Sequence, residues 1–168
     1  LARGLMVIEK LAEAPDGISI TELAETFGVD KGSMSRVLQT LSKYGYAEKD
    51  ERTRKYVSGP QIVRLSRALL KGMELRETAK PYLQELVDQT GECAHLAILA
   101  KGEALYIDQA ESPSALRVTT GVGTLGPLHC TALGKVLLAY TDYPISDKLE
   151  SYTFRTITDP SALQLHIE

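Results

Sequence analysis

In the stretch DKGSMSRVLQTLSKY, residues 30–44, Met34, Val37, Leu38 and Leu41 recur at i, i+3, i+4 and i+7, the apolar stripe of a packed helix. The other side carries Gly32, Ser35, Arg36, Gln39 and Lys43 and no acid. Arginine and glutamine can each form paired hydrogen bonds to purine edges in a major groove, and serine, threonine and lysine can hold phosphate oxygens. The chemistry on offer is nucleic-acid recognition. Arg36 and Gln39 are placed centrally for base edges, Ser33, Ser35, Thr40 and Lys43 for phosphates, and Lys31, in the first turn, for either. The alternative is a solvated face on a structural bundle, but a face that had only to be soluble would ordinarily mix in acids.

The neighbouring elements suit the first reading. Residues 3–14 read as a helix with Leu5, Ile8, Leu11 and Ala12 on one side, ended by Pro15-Asp16-Gly17. Ser19-x-x-Glu22 is a capping box that opens a second helix, with Leu23, Ala24 and Phe27 inward. Gly28 suits a left-handed C-terminal cap, and Asp30 can cap the next helix. Two helices separated by so short a turn make a helix-turn-helix. Residues 46–49 and 55–57 flank the polar DERTR stretch as a hairpin, so the expected unit is a winged helix. Arg52, Arg54 and Lys55 at the wing tip would reach phosphate or minor groove, although a soluble hairpin tip would look similar.

The charge distribution agrees. Net charge is −3 overall, yet residues 1–30 hold two basic residues against six acids, and residues 31–55 hold seven basic residues against three acids. Basic charge is concentrated where the recognition surface is expected. Two cysteines without close spacing make no disulfide framework, which favours a reducing, cytoplasmic setting. No apolar run reaches the roughly 18 to 20 residues of a membrane span, so no membrane partner is expected. The opening LARGLMVIEKLA lacks an initiator Met and a signal-peptide core and reads as a trimmed start.

Beyond Gly59-Pro60, residues 62–75 read as a linking helix with Ile62, Leu65, Leu69 and Leu70 on its apolar side. Residues 76–90 read as another, with Ala79, Tyr82, Leu83, Leu86 and Val87 buried and Gly91 ending it. Period-2 runs follow at 93–100, 104–109 and 116–120, so the second half is α+β on an antiparallel sheet. Gly121 to Pro127 reads as a flexible loop, Thr131 caps a helix to about Tyr140, and Asp159-Pro160 starts one more.

Three other chemistries are testable on spacing. GPLHCTALGKV is no phosphate-binding loop, because Gly126 is eight residues before Gly134 and Val136 stands where the magnesium-holding hydroxyl is needed. The helix start at Thr131, Ala132 and Leu133 still offers amides to a carboxylate, though Gly and Ala there could simply permit close packing. Lys135 reads as a cap or an ion-pair partner. Cys93, His95, His129 and Cys130 could be imagined around zinc, but cysteine in an apolar strand is usually a small buried hydrophobe, and no metal or cofactor is expected. Cys130 lacks a nameable orienting group for nucleophilic catalysis, and Asp108 reads as a strand end or structural hydrogen bonder, so the chain is not expected to be an enzyme.

The stretches ISITELAETFGVDKGSMSRVLQTLSKYGYAEKD, RKY, GECAHLAIL, LYIDQ and GPLHCTALGKVLLAY together resemble the IclR-type bacterial transcription regulators. The resemblance implies residues 1–59 as a winged helix-turn-helix, 60–75 as a linking helix, and 76–168 as the first part of a GAF-like effector domain that ends about 70 residues early. It implies a homodimer or tetramer that binds operator DNA and a small effector, an organic acid in keeping with the free amides, to regulate a catabolic operon in the bacterial cytoplasm. It also implies that Leu128, His129, Cys130, Thr131, Ala132 and Leu133 border the effector pocket. Ser58 departs from the leucine usual before Gly59-Pro60. The other readings are a sensing domain whose helix-turn-helix binds protein, and a metal-binding or enzymatic second half.

Overall fold

The structure, a computed structural model, describes residues 1–112 and 121–168, and its backbone divides into two units, Leu1–Gly72 and Met73–Glu168. The expected strand at residues 116–120 lies outside the described residues.

In the first unit, α1 (Ala2–Ala12), α2 (Ile20–Thr26) and α3 (Lys31–Lys43) surround a core of Val7, Leu11, Leu23, Ala24, Met34, Leu38 and Leu41. Ser19 and Glu22 close the capping box reciprocally, at 3.2 Å and 2.8 Å. The amide of Val29 returns to Ala24 O across Gly28, whose φ of +61° is the left-handed conformation that suits glycine. That turn delivers Asp30 to cap α3. The expected apolar side of α1 is not buried throughout: Leu5 is 55% exposed, while Val7 is fully buried. Val7 and Leu11 share the inward face at i, i+4, which leaves Leu5 on a second apolar flank.

β1 (Ala47–Lys49) and β2 (Tyr56–Ser58) pair antiparallel, and Ile18 exchanges both backbone hydrogen bonds with Tyr56, adding a short third edge. Gly59 is buried against the backbone of Gly45 and Ala47, with Gly59 N–H donating to Tyr46 O and Gln61 N–H to Gly45 O. This backbone contact, and not the exposed Ser58, fixes the wing to the helix that follows. α4 (Pro60–Lys71) begins with Pro60 in its first turn and buries no residue; Val63, Leu65 and Leu69 are exposed. It ends four residues earlier than expected, at Lys71 with Gly72 as its C-cap, and Leu75 belongs to the next helix.

In the second unit, α5 (Glu74–Thr90) ends at Gly91 in the left-handed conformation and lays Leu83 and Val87 on Ala94, Leu96 and Ala110 of the sheet. Tyr82 and Leu86, expected inside, are exposed, because only an i, i+4 pair meets the strands. The sheet runs β3-β4-β5 (Ala94–Ala100, Glu103–Ala110, Leu125–Pro127), antiparallel throughout. β5 replaces part of the expected loop, since residues 125–127 hydrogen-bond along Glu103, Ala104 and Leu105. α6 (Ala132–Ala139) and α7 (Pro160–Ile167) cover the other sheet face around Ala104, Leu128, Leu138 and Leu163. The chain is thus α+β, and none of its described helices is long and apolar enough to cross a membrane.

Candidate nucleic-acid interface and effector region

The outer face of α3 is held by its own cap. Asp30 accepts hydrogen bonds from Ser33 N–H at 2.9 Å and from the Ser33 hydroxyl at 2.7 Å, and these two bonds lower its carboxyl pKa. Arg36 Nη2 donates to Ser33 Oγ at 3.2 Å, so one chain of bonds runs from the cap to the central arginine. Ser33 is therefore engaged within the helix. Thr40 Oγ1 donates to Arg36 O at 2.9 Å, and Gln39 Nε2 reaches Ser35 Oγ at 3.5 Å. Lys31, Arg36, Gln39, Thr40 and Lys43 are exposed, whereas Ser33 and Ser35 are half-buried. Gly32, Arg36, Gln39 and Lys43 follow one another at i, i+4, i+7 and i+11, a line opposite the buried Met34, Leu38 and Leu41. Lys43 Nζ lies 5.7 Å from the ring centroid of Tyr44, which directs the last cation of the helix.

The wing tip is built by Asp50. Its carboxylate accepts from Arg52 N–H at 2.8 Å and Thr53 N–H at 3.2 Å, and hydrogen bonding with Thr53, then Arg52, lowers its pKa. Arg54 closes the turn with its N–H on Asp50 O and has φ of +61°, a left-handed conformation costly for a side-chain-bearing residue. Arg52 and Arg54 are exposed. Arg54 lies 3.6 Å from Glu51, an exposed pair that contributes little. Lys55 differs from them: it is half-buried, and its Cβ packs near Gly17.

In the second unit, Leu128 and His129 are buried, Cys130, Thr131 and Leu133 half-buried, and Ala132 exposed. Thr131 Oγ1 accepts from Gly134 N–H at 3.0 Å and donates to Pro127 O at 2.8 Å, fixing the strand-to-helix turn. Gly134 stands against Leu128 Cα and O with no room for a side chain, so its absence of a Cβ serves packing. The amides of Ala132 and Leu133, in the first turn of α6, have no carbonyl partner within the helix. His129 Nε2 lies 2.8 Å from Glu150 O, and its ring tilts against Tyr152 at 5.9 Å. Burial pushes the Cys130 thiol pKa up, which makes it a poor nucleophile. Lys135 Nζ meets His166 Nε2 at 3.3 Å, joining α6 to α7.

The IclR helix-turn-helix domain pattern matches residues 1–51, and that of the bacterial transcriptional regulator IclR C-terminal domain matches residues 67–168. The chain belongs to the IclR family. Its family is one of transcriptional regulators, not enzymes. It is 35% identical to the HTH-type transcriptional regulator BhcR of Paracoccus denitrificans, over 97% of this chain and 60% of that one. It is 31% identical to the glycerol operon regulatory protein of Streptomyces coelicolor, over 98% and 66%. A crystal structure of an IclR transcriptional regulator from Silicibacter superposes with a TM-score of 0.81 at 27% identity, covering 99% of this chain and 68% of that one. The chain thus spans about two thirds or less of these relatives.

Two features of this IclR-family chain escaped sequence reasoning. Arg76 Nε and Asp108 Oδ2 meet at 3.2 Å with both side chains mostly buried, an ion contact between α5 and β4. His95 and Gln109 face each other across β3 and β4, beside Tyr106. Both depend on a bulge between Leu96 and Ala97 in the pairing, which no local sequence signal marks.

Proposed function

We propose that the protein is a ligand-responsive DNA-binding regulator of a catabolic operon, in which α3 enters the major groove of operator DNA and the wing holds the adjacent backbone. The observation that carries this reading is the acid-free line of Gly32, Arg36, Gln39 and Lys43, exposed opposite the core and keyed to the Asp30 cap. Lys31, Ser35, Thr40, Arg52, Arg54 and Lys55 supply phosphate contacts around it. The relatives named for a glycerol operon and for BhcR support the regulatory role. The site of action is the bacterial cytoplasm, on the nucleoid.

Two copies act together. α1 and α4 expose Leu5, Met6, Val63, Leu65 and Leu69, an apolar surface that a second copy would cover. A two-fold dimer, alone or paired into a tetramer, then presents two α3 helices to a pseudo-palindromic operator. The effector is an organic acid whose carboxylate meets the amides of Ala132 and Leu133, with Leu128, His129, Cys130 and Thr131 bordering it. Its binding shifts the population of geometries that fit the operator. Fluorescence anisotropy with a random duplex tests the DNA half: affinity should fall by orders of magnitude between about 50 and 200 mM salt. Absence of binding at low salt would overturn the reading in favour of a protein-binding helix-turn-helix.

A further inference from the structure

We propose that His95 and Gln109 form a hydroxyl-binding subsite on the sheet face that packs against α6, so that the effector is a hydroxylated organic acid; this rests on the reading of the α6 start as an effector site. β3 and β4 pair the two residues directly, which sets their Cβ atoms roughly 5 Å apart. Strand alternation puts His95 on the same face as Ala97 and Leu99, which pack with Ala104, Leu128 and Leu138. The surroundings are therefore apolar. Yet His95 Nδ1 and Gln109 Oε1 are both shielded from solvent and neither has a hydrogen-bond partner among the described residues. Such atoms are nearly always satisfied in a folded protein, because leaving them dry and unpaired is destabilising.

A hydroxyl answers both atoms at once. It donates its proton to Gln109 Oε1 and accepts from an N–H at His95 Nδ1. Tyr106 walls the pair, its ring edge-on to His95 with centroids 5.7 Å apart and planes at 86°. The same ring covers Gly126, where a Cβ would come within 3.1 Å of it. Gly126 lies in β5, and Pro127 O, next in the strand, accepts from the Thr131 hydroxyl that caps α6. The polar pair and the amides of Ala132 and Leu133 are thus linked along one sheet face, a carboxylate-binding end and a hydroxyl-binding end.

The test is calorimetric titration of the full-length protein with matched acids: acetate and glycolate, propionate and lactate, benzoate and 4-hydroxybenzoate. In at least one pair the hydroxylated acid should bind tenfold or more tightly than its partner. Gln109→Met and His95→Phe should each remove about that factor while leaving the weaker acid unaffected. Unliganded Gln109→Met should melt no lower than the parent, because it removes an unsatisfied buried atom. Equal binding within every pair, or a hydroxyl preference that survives both substitutions, overturns the subsite and leaves the acid site standing, with water as the occupant of the pair. Loss of preference accompanied by a lowered unliganded melting midpoint in both variants assigns the pair a structural role and also overturns it. If no acid binds at all, the effector reading itself fails.

Discussion

Arg36 and Arg54 are both exposed arginines, and the proposed function gives them different tasks. Arg36 is oriented by Ser33 at the centre of the α3 face, whereas Arg54 stands at a turn whose shape is set by Asp50. Arg36→Ala should therefore cost about 1–3 kcal/mol on some base pairs of the operator and little on others. Arg54→Ala should weaken binding to all sequences alike and reduce the slope of log affinity against log salt by about one. Affinities of a set of single-base operator variants, each at several salt concentrations, distinguish the two patterns. The carboxylates of Glu22, Asp30 and Asp50 have lowered pKa values, chiefly through hydrogen bonds with Ser19, Ser33 and Thr53. A lowered folded-state pKa means stability that is present above the ordinary carboxylate value and lost as pH falls through the folded one. Circular dichroism melts should thus show the first unit weakening as pH drops below about 4, and Asp30→Asn should blunt that dependence.

Two junctions carry the architecture at the scale of elements. Gly59 has no space for a Cβ, which would approach Gly45 C at 2.8 Å and Ala47 N at 2.9 Å. Gly59→Ala should cost about 1–3 kcal/mol in urea unfolding, because backbone and not a flexible side chain must yield. Arg76→Met should cost roughly 3 kcal/mol by leaving Asp108 mostly buried without its cation, and adding Asp108→Leu should recover most of that loss. Elements set by local signals were legible in the sequence: the Ser19–Glu22 box, the Gly28 turn and the Asp30 cap all form as their spacing requires. The sheet register was not. Continuing the pairing of Ala100 with Glu103 and Ala97 with Tyr106 would set His95 opposite Asp108. The bulge instead sets Leu96 opposite Asp108 and His95 opposite Gln109. One extra residue thereby sends Asp108 towards Arg76 and Gln109 towards the opposite face. Burial was likewise over-read for Tyr82 and Leu86, since periodicity shows that a face is apolar but not what covers it.

For the whole molecule, the proposed reading assigns base recognition to α3 in the first unit and acid binding to the α6 start in the second. On α1 and α4, Leu5, Met6, Val63, Leu65 and Leu69 are exposed, the face proposed above for a second copy. Whether α3 reads base sequence is decided by selecting bound duplexes from a random DNA pool with the full-length protein, and sequencing them. A base-reading α3 predicts enrichment of a pseudo-palindrome with half-sites about one helical turn apart, roughly 10 base pairs, or a multiple of that. It also predicts that Arg36→Ala with Gln39→Ala abolishes the enrichment while retaining salt-sensitive binding. Recovery of the same motif by that double variant, or of no motif by the parent, would contradict it.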